Sequence, residues 1–147
     1  MDSVAQKFHG AWKFVSAIQT LADGSTKPSP GYGIGGVGNI IYTPQGRMMV
    51  FIMDPSRAPF AFEAHPTEPE LRTSTKGFLT YGGRYEVHAA EGYVLHHVDL
   101  EPVPNRVGIT LKRFFSFEGN RLILRAAPPL PQGVTEYAIT WERLPAA

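Results

Sequence analysis

Residues 108–127, GITLKRFFSFEGNRLILRAA, decide the fold. Two apolar-rich runs, Gly108–Phe117 and Arg121–Ala127, flank Glu118-Gly119-Asn120. Gly-Asn is strong hairpin chemistry, because tight hairpin turns need residues that tolerate positive φ. A two-residue turn at Gly119-Asn120 pairs Phe117 with Leu122 and Phe115 with Leu124 on one face. Lys112, Ser116, Arg121 and Arg125 then share the other. Strand side chains alternate with period two, so the first face is interior. Arg113 breaks the pattern, lying on the apolar face between Leu111 and Phe115. A buried guanidinium without a partner is costly, so Arg113 needs backbone carbonyls, a carboxylate such as Glu70, or a ligand.

Working outward, the same signature recurs. Strands are expected at Gly10–Thr20, Asn39–Thr43, Arg47–Met53, Tyr81–Ala89, Tyr93–Leu100 and Val134–Leu144, in addition to the two above. β-branched and aromatic residues dominate them, and turns such as Pro44-Gln45-Gly46 and Ala90-Glu91-Gly92 separate them. The 15 glycines and 13 prolines of the 147-residue chain exceed ordinary usage, as many turns require. Eight strands joined mostly by tight turns give an all-β fold, an antiparallel up-and-down barrel whose closure removes exposed edges. Residues 1–147 read as one domain.

Asp54–Leu79 departs from this pattern. Thr67-Glu68-Pro69-Glu70 is a capping box with proline in the first turn. Leu71, Phe78 and Leu79 fall on one helical face, and Gly82-Gly83 ends the run. The reading is a short helix, Thr67–Leu79, across one end of the barrel as a plug or a lid.

The hairpin of Tyr81–Ala89 and Tyr93–Leu100 sets the chemistry of the interior. A two-residue turn groups Tyr81, Tyr85 and Val87 with Val94, His96 and Val98, leaving Arg84, Glu86, His88 and His97 outside. Trp12, Phe14 and Ile18 face in from the first strand, and Tyr137, Ile139 and Trp141 from the last. Tyr42, Met48, Val50 and Ile52 are assigned inward on the two strands between. The interior then holds His96, Arg113, Arg143 and tyrosines, while Glu86, Glu136 and Glu142 lie outside. Cationic donors without an internal anion suit a small, hydrophobic or weakly acidic ligand, one with an acidic, enolate or phenolate oxygen.

These residues also resemble a known family. Gly10-Ala11-Trp12 is similar to the Gly-x-Trp motif that opens lipocalin barrels, with Arg143 near the end of the last strand. Tyr42-Thr43-Pro44-Gln45-Gly46-Arg47-Met48, Tyr81-Gly82-Gly83-Arg84-Tyr85, His96-His97-Val98, Leu111-Lys112-Arg113-Phe114 and Trp141-Glu142-Arg143 resemble the small lipocalin-like domain family of bacteria and fungi. The resemblance implies a calycin-type barrel with a central cavity, closed at its base by Arg143 over Trp12, a cation–π contact. The Thr-Asp-Tyr motif, signal peptide and disulfides of secreted lipocalins are missing.

Other chemistries find little support. With no cysteine there is no disulfide framework, no thiolate nucleophile and no cysteine-ligated metal. Gly31–Gly38 fits Gly-x-Gly-x-x-Gly twice, but a proline-containing loop precedes it and a strand follows, so it reads as a mouth loop, not a nucleotide site. Adjacent His96 and His97 point to opposite faces, so no metal is expected. The serines lack nucleophile-elbow context. Lys112, Arg121 and Arg125 form an outward strip that, at net charge +1, reads as a solvated face or a homodimer contact, with no nucleic-acid partner. The longest apolar run, Met48–Met53, is too short to cross a membrane. Without a signal-like N-terminus the expected location is cytoplasmic.

Two functions follow. One is a binding barrel, with Tyr42, Tyr81, Phe115, Tyr137, Trp141 and Phe14 lining the ligand site. The alternative is a cofactor-independent isomerase, cyclase or dehydratase acting on a polyketide- or terpenoid-like substrate. There His96 acts as acid/base, Tyr85 orients it and Arg113 stabilises an oxyanion.

Overall fold

The computed structural model describes residues 3–147. Eight long antiparallel strands form the barrel: β1 (Gly10–Leu21), β3 (Val37–Tyr42), β4 (Arg47–Met53), β5 (Phe78–His88), β6 (Tyr93–Leu100), β7 (Thr110–Glu118), β8 (Arg121–Ala126) and β9 (Val134–Arg143). Each pairs with the next in this order, and β1 pairs with β9 to close the ring. A short β2 (Thr26–Pro28) folds back on β1. Among the described residues, no helix is long and apolar enough to cross a membrane.

The β7–β8 register places Phe117 opposite Leu122 and Phe115 opposite Leu124, as the Gly119-Asn120 turn demands. On β5–β6, Tyr85 faces His96 and Val87 faces Val94. Tyr42, Met48, Val50 and Ile52 are buried together with Ile40.

Three expectations need correction. On β1 the register slips between Phe14 and Ser16, a β-bulge that inserts Val15. Beyond it the faces exchange, so that Ala17 and Gln19 are buried where Ile18 was expected inside. The helix over Thr67–Leu79 is shorter: α2 spans Glu68–Thr75 behind its Thr67 cap. Phe78 and Leu79 belong to β5, opposite Met53 and Ile52. Gly82-Gly83 does not stop a helix; a Cβ on Gly83 would come within 1.7 Å of the His97 carbonyl, so the strands approach there only because it is glycine. Finally, α2 plugs nothing, since none of its residues is buried.

The plug comes from a helix the strand pattern leaves out. α1 (Val4–Phe8) carries a capping box between Ser3 and Gln6. It drives Phe8, fully buried, into the base, edge-on to Tyr42, Phe115 and Phe117 at 5.0–5.2 Å between centroids. The Trp12 indole donates to the Phe8 carbonyl at 2.9 Å. Arg143 stacks over Trp12 at 4.0 Å and donates to the carbonyls of His9 and Lys7. First and last strands are thereby tied together under the barrel, as the resemblance implies. The connections at residues 43–46, 89–92 and 119–120 lie at this base, whereas those at 54–77, 101–109 and 127–133 lie at the opposite mouth.

Candidate functional site

His96 sits mid-barrel on β6, 1% exposed. Tyr42 Oη lies 2.7 Å from its Nε2 and Tyr81 Oη 2.8 Å from its Nδ1. Burial, and then the charge of Arg113 and the proximity of His97, pull its pKa down to about 3. The imidazole is therefore neutral at physiological pH, with one nitrogen donating and the other accepting. Burial also raises the pKa of both tyrosines.

Tyr85, opposite His96 in register, does not orient it. Its hydroxyl donates to the Thr43 carbonyl at 2.7 Å, and its ring packs edge-on to Tyr42. His97 points outward, as alternation requires, with Nδ1 2.9 Å from Thr110 Oγ1 and Nε2 3.2 Å from Glu86.

Arg113, on β7, is partly buried. Its Nη1 donates to the Lys112 carbonyl at 3.2 Å, and among the described residues no carboxylate lies within ion-pair distance. Glu70 is engaged elsewhere, accepting from the Thr67 and Ala61 amides at 2.9 and 2.8 Å. The carboxylates assigned outside are on the outer face, Glu136 against Arg125 and Glu142 against Arg121, so the basic strip is locally neutralised. Its remaining cation, Lys112, sits 4.1 Å above the Tyr93 ring.

The interior is not the roomy cavity the resemblance implies. Aromatic rings fill most of it and leave a deep hollow of about 40 Å³, walled by Ile40, Val50, Ile52, Leu79, Tyr81, Arg113, Leu124, Tyr137, Ile139 and Trp141. Space opens at the mouth, in a cleft of about 530 Å³ bounded by Gln19, Ser29, Arg106, Arg113, Tyr137 and the loop from Ala126 to Pro131. Arg113 and Tyr137 line both spaces and stand between them. Tyr137 donates to Ser29 Oγ at 3.1 Å and lies 3.3 Å from the Tyr32 hydroxyl. That contact anchors the glycine-rich loop, and β3 follows it where a nucleotide fold would need a helix.

The structure thus gathers Arg113, Tyr81, Tyr137 and Trp141 around one hollow, with Tyr42 one step behind through His96. It separates Phe115, at the base against Phe8, and Phe14, which packs edge-on against Trp141 and Tyr32. Sequence reasoning missed Gln19, turned inward by the bulge, and Ser29 and Arg106, which loops bring to the cleft. The two prolines that flank Ser29 were the one available sign that this serine is held in place.

A family model described as a lipocalin-like domain matches residues 9–144. The chain belongs to that family. Among curated relatives, this lipocalin-like protein is 30% identical over 87 residues to the 4'-hydroxy-3'-methoxypropiophenone carrier protein ppsC of Aspergillus oryzae, covering 54% of this chain and 78% of that one. Two crystal structures of mutants of the fluorescent protein UnaG also resemble it. They share 12% and 11% identity at TM-scores of 0.43 and 0.45, over 95% and 97% of this chain and 98% and 100% of theirs.

Proposed function

We propose that this lipocalin-like barrel binds a small, mostly apolar molecule bearing an acidic, enolate or phenolate oxygen, held in the mouth cleft against Arg113. One observation carries the reading: a partly buried guanidinium, with no carboxylate partner among the described residues, forms the inner wall of the cleft. Its N–H groups beyond the Lys112 contact have no acceptor among the described residues, and a ligand oxyanion would supply one. The Ala126–Pro131 loop adds apolar wall, suited to an aromatic or alkyl body. The cargo named for the relative, 4'-hydroxy-3'-methoxypropiophenone, is both a phenol and an aryl ketone and belongs to this class.

The proton-transfer alternative draws less support. A catalytic base must reach the proton it removes, but both ring nitrogens of His96 are occupied by tyrosines and the ring is sealed from the cleft. Calorimetric titration with 4'-hydroxy-3'-methoxypropiophenone and with its 4'-O-methyl ether tests the binding reading. The phenol should bind more tightly as pH rises through its own ionisation, and the ether should show no such trend. Identical pH profiles for the two would overturn the anion-anchor role.

A further inference from the structure

The residues that wall the hollow beneath Arg113 carry hydrogen-bond donors and almost no acceptor. Trp141, 1% exposed and one of its walls, has an indole N–H without a partner among the described residues. Arg113 is a second wall and a donor only. The third is Tyr81, whose role follows from proton placement around His96.

Among the described residues Tyr42 and Tyr81 each have His96 as their one side-chain hydrogen-bond partner, and a neutral ring accepts at one nitrogen only. Were Tyr81 to donate to Nδ1, Nε2–H would donate to Tyr42, whose own hydrogen would then be buried against aromatic rings without an acceptor. In the opposite arrangement Tyr42 donates to Nε2, Nδ1–H donates to Tyr81, and the Tyr81 hydrogen is directed elsewhere. Tyr81 borders the hollow, where a water-sized acceptor fits. Buried donors left unmatched are strongly disfavoured, so the second arrangement prevails.

We infer that the deep hollow is a subsite for an acceptor oxygen, a carbonyl on the inner end of the ligand, held by the Tyr81 hydroxyl and the Trp141 indole, while Arg113 above it keeps its charge for the acidic oxygen in the cleft. The remaining walls are apolar, apart from the Tyr137 ring, whose hydroxyl is engaged by Ser29 and Tyr32. The hollow admits little more than the oxygen and its carbon, so the rest of the ligand stays in the cleft. This rests on the cleft-binding reading for the ligand's body; the proton arrangement stands independently. His96 is here a positioning residue, fixing the direction in which Tyr81 donates.

Nitrogen-15 NMR of the ligand-free protein at pH 7 tests the proton arrangement. His96 should carry its proton on Nδ1; an Nε2–H tautomer or an imidazolium overturns the inference, whether or not any ligand binds. The indole resonances test the subsite. On adding 4'-hydroxy-3'-methoxypropiophenone the Trp141 N–H should shift downfield, while that of Trp12, already donating to Phe8, stays in place. The deoxy analogue 2-methoxy-4-propylphenol should leave Trp141 unshifted. In affinity, Tyr81→Phe should lose about tenfold on the ketone and nothing on the analogue. Equal losses on both probes, or a downfield Trp141 shift with both, reduce the hollow to a water site and overturn the carbonyl assignment. If the wild type binds neither probe, the cleft reading fails and takes the carbonyl assignment with it, while the tautomer still decides the direction of the Tyr81 donor.

Discussion

Replacing Arg113 with leucine should leave the fold intact while weakening the ligand. The guanidinium's protein hydrogen bond is to the Lys112 carbonyl at 3.2 Å, and that oxygen also accepts from the Ala127 amide at 3.1 Å. Removing Arg113 therefore orphans nothing. The loss is one hydrogen bond, about 0.5–1.5 kcal/mol net. It is offset by relief from desolvating a cation and by new apolar contact with Leu124 and Ile139. The sum lies within about 1 kcal/mol of zero, or roughly 3 °C in Tm for a chain of this size. Binding moves differently, because a charge-assisted hydrogen bond to an oxyanion contributes about 1.5–3 kcal/mol. Its loss weakens an ionised phenol by about 10- to 100-fold and leaves the methyl ether within about threefold. Scanning calorimetry of the free proteins and isothermal titration with both ligands give the two numbers. A Tm drop beyond about 5 °C, with matching losses for both ligands, would show Arg113 to be a structural member and refute the argument.

Two further predictions concern the scaffold. His96 has a folded pKa of about 3 against an ordinary value near 6.5, so between these limits the unfolded chain binds more protons and stability falls with falling pH. The loss should reach about 2 kcal/mol at pH 5, read from urea midpoints, and shrink in His96→Gln; an unchanged slope in that variant would assign the effect to other groups. Phe8→Ala should cost about 3–5 kcal/mol by opening a cavity at the base, whereas Leu71→Ala on exposed α2 should cost under about 1 kcal/mol. Thermal melts that reverse this order would restore α2 as the plug.

How far the sequence carries depends on which force sets each feature. Gly119-Asn120 with its flanking phenylalanines and leucines states its register outright, because turn chemistry and alternation agree. His96 and Arg113 are placed inward by the same period-two rule. The Val15 bulge leaves no mark, since one extra residue in a strand of mixed side chains looks like ordinary sequence. Phe78 and Leu79 suit a helix end as well as a strand start, and only pairing with β4 decides between them. The choice of Tyr42 and Tyr81 over Tyr85 as partners of His96 depends on how side chains cross the closed barrel, which strand-by-strand reading does not reach. The same holds for the size of the hollow, set by how side chains from six strands interdigitate. The base plug is not legible in the sequence, because α1 is only five residues long and helix periodicity has no room to show.

The split between a tied base and a looped mouth bears on how such a protein diversifies. Insertions or substitutions at residues 101–109 or 127–133 reshape the rim of the proposed binding cleft, while the Phe8, Trp12 and Arg143 knot at the far end keeps the ring shut. Appetite for new cargo and survival of the scaffold are thus written into opposite poles of the molecule. A library confined to those loops should yield altered selectivity at a low toll of misfolded clones.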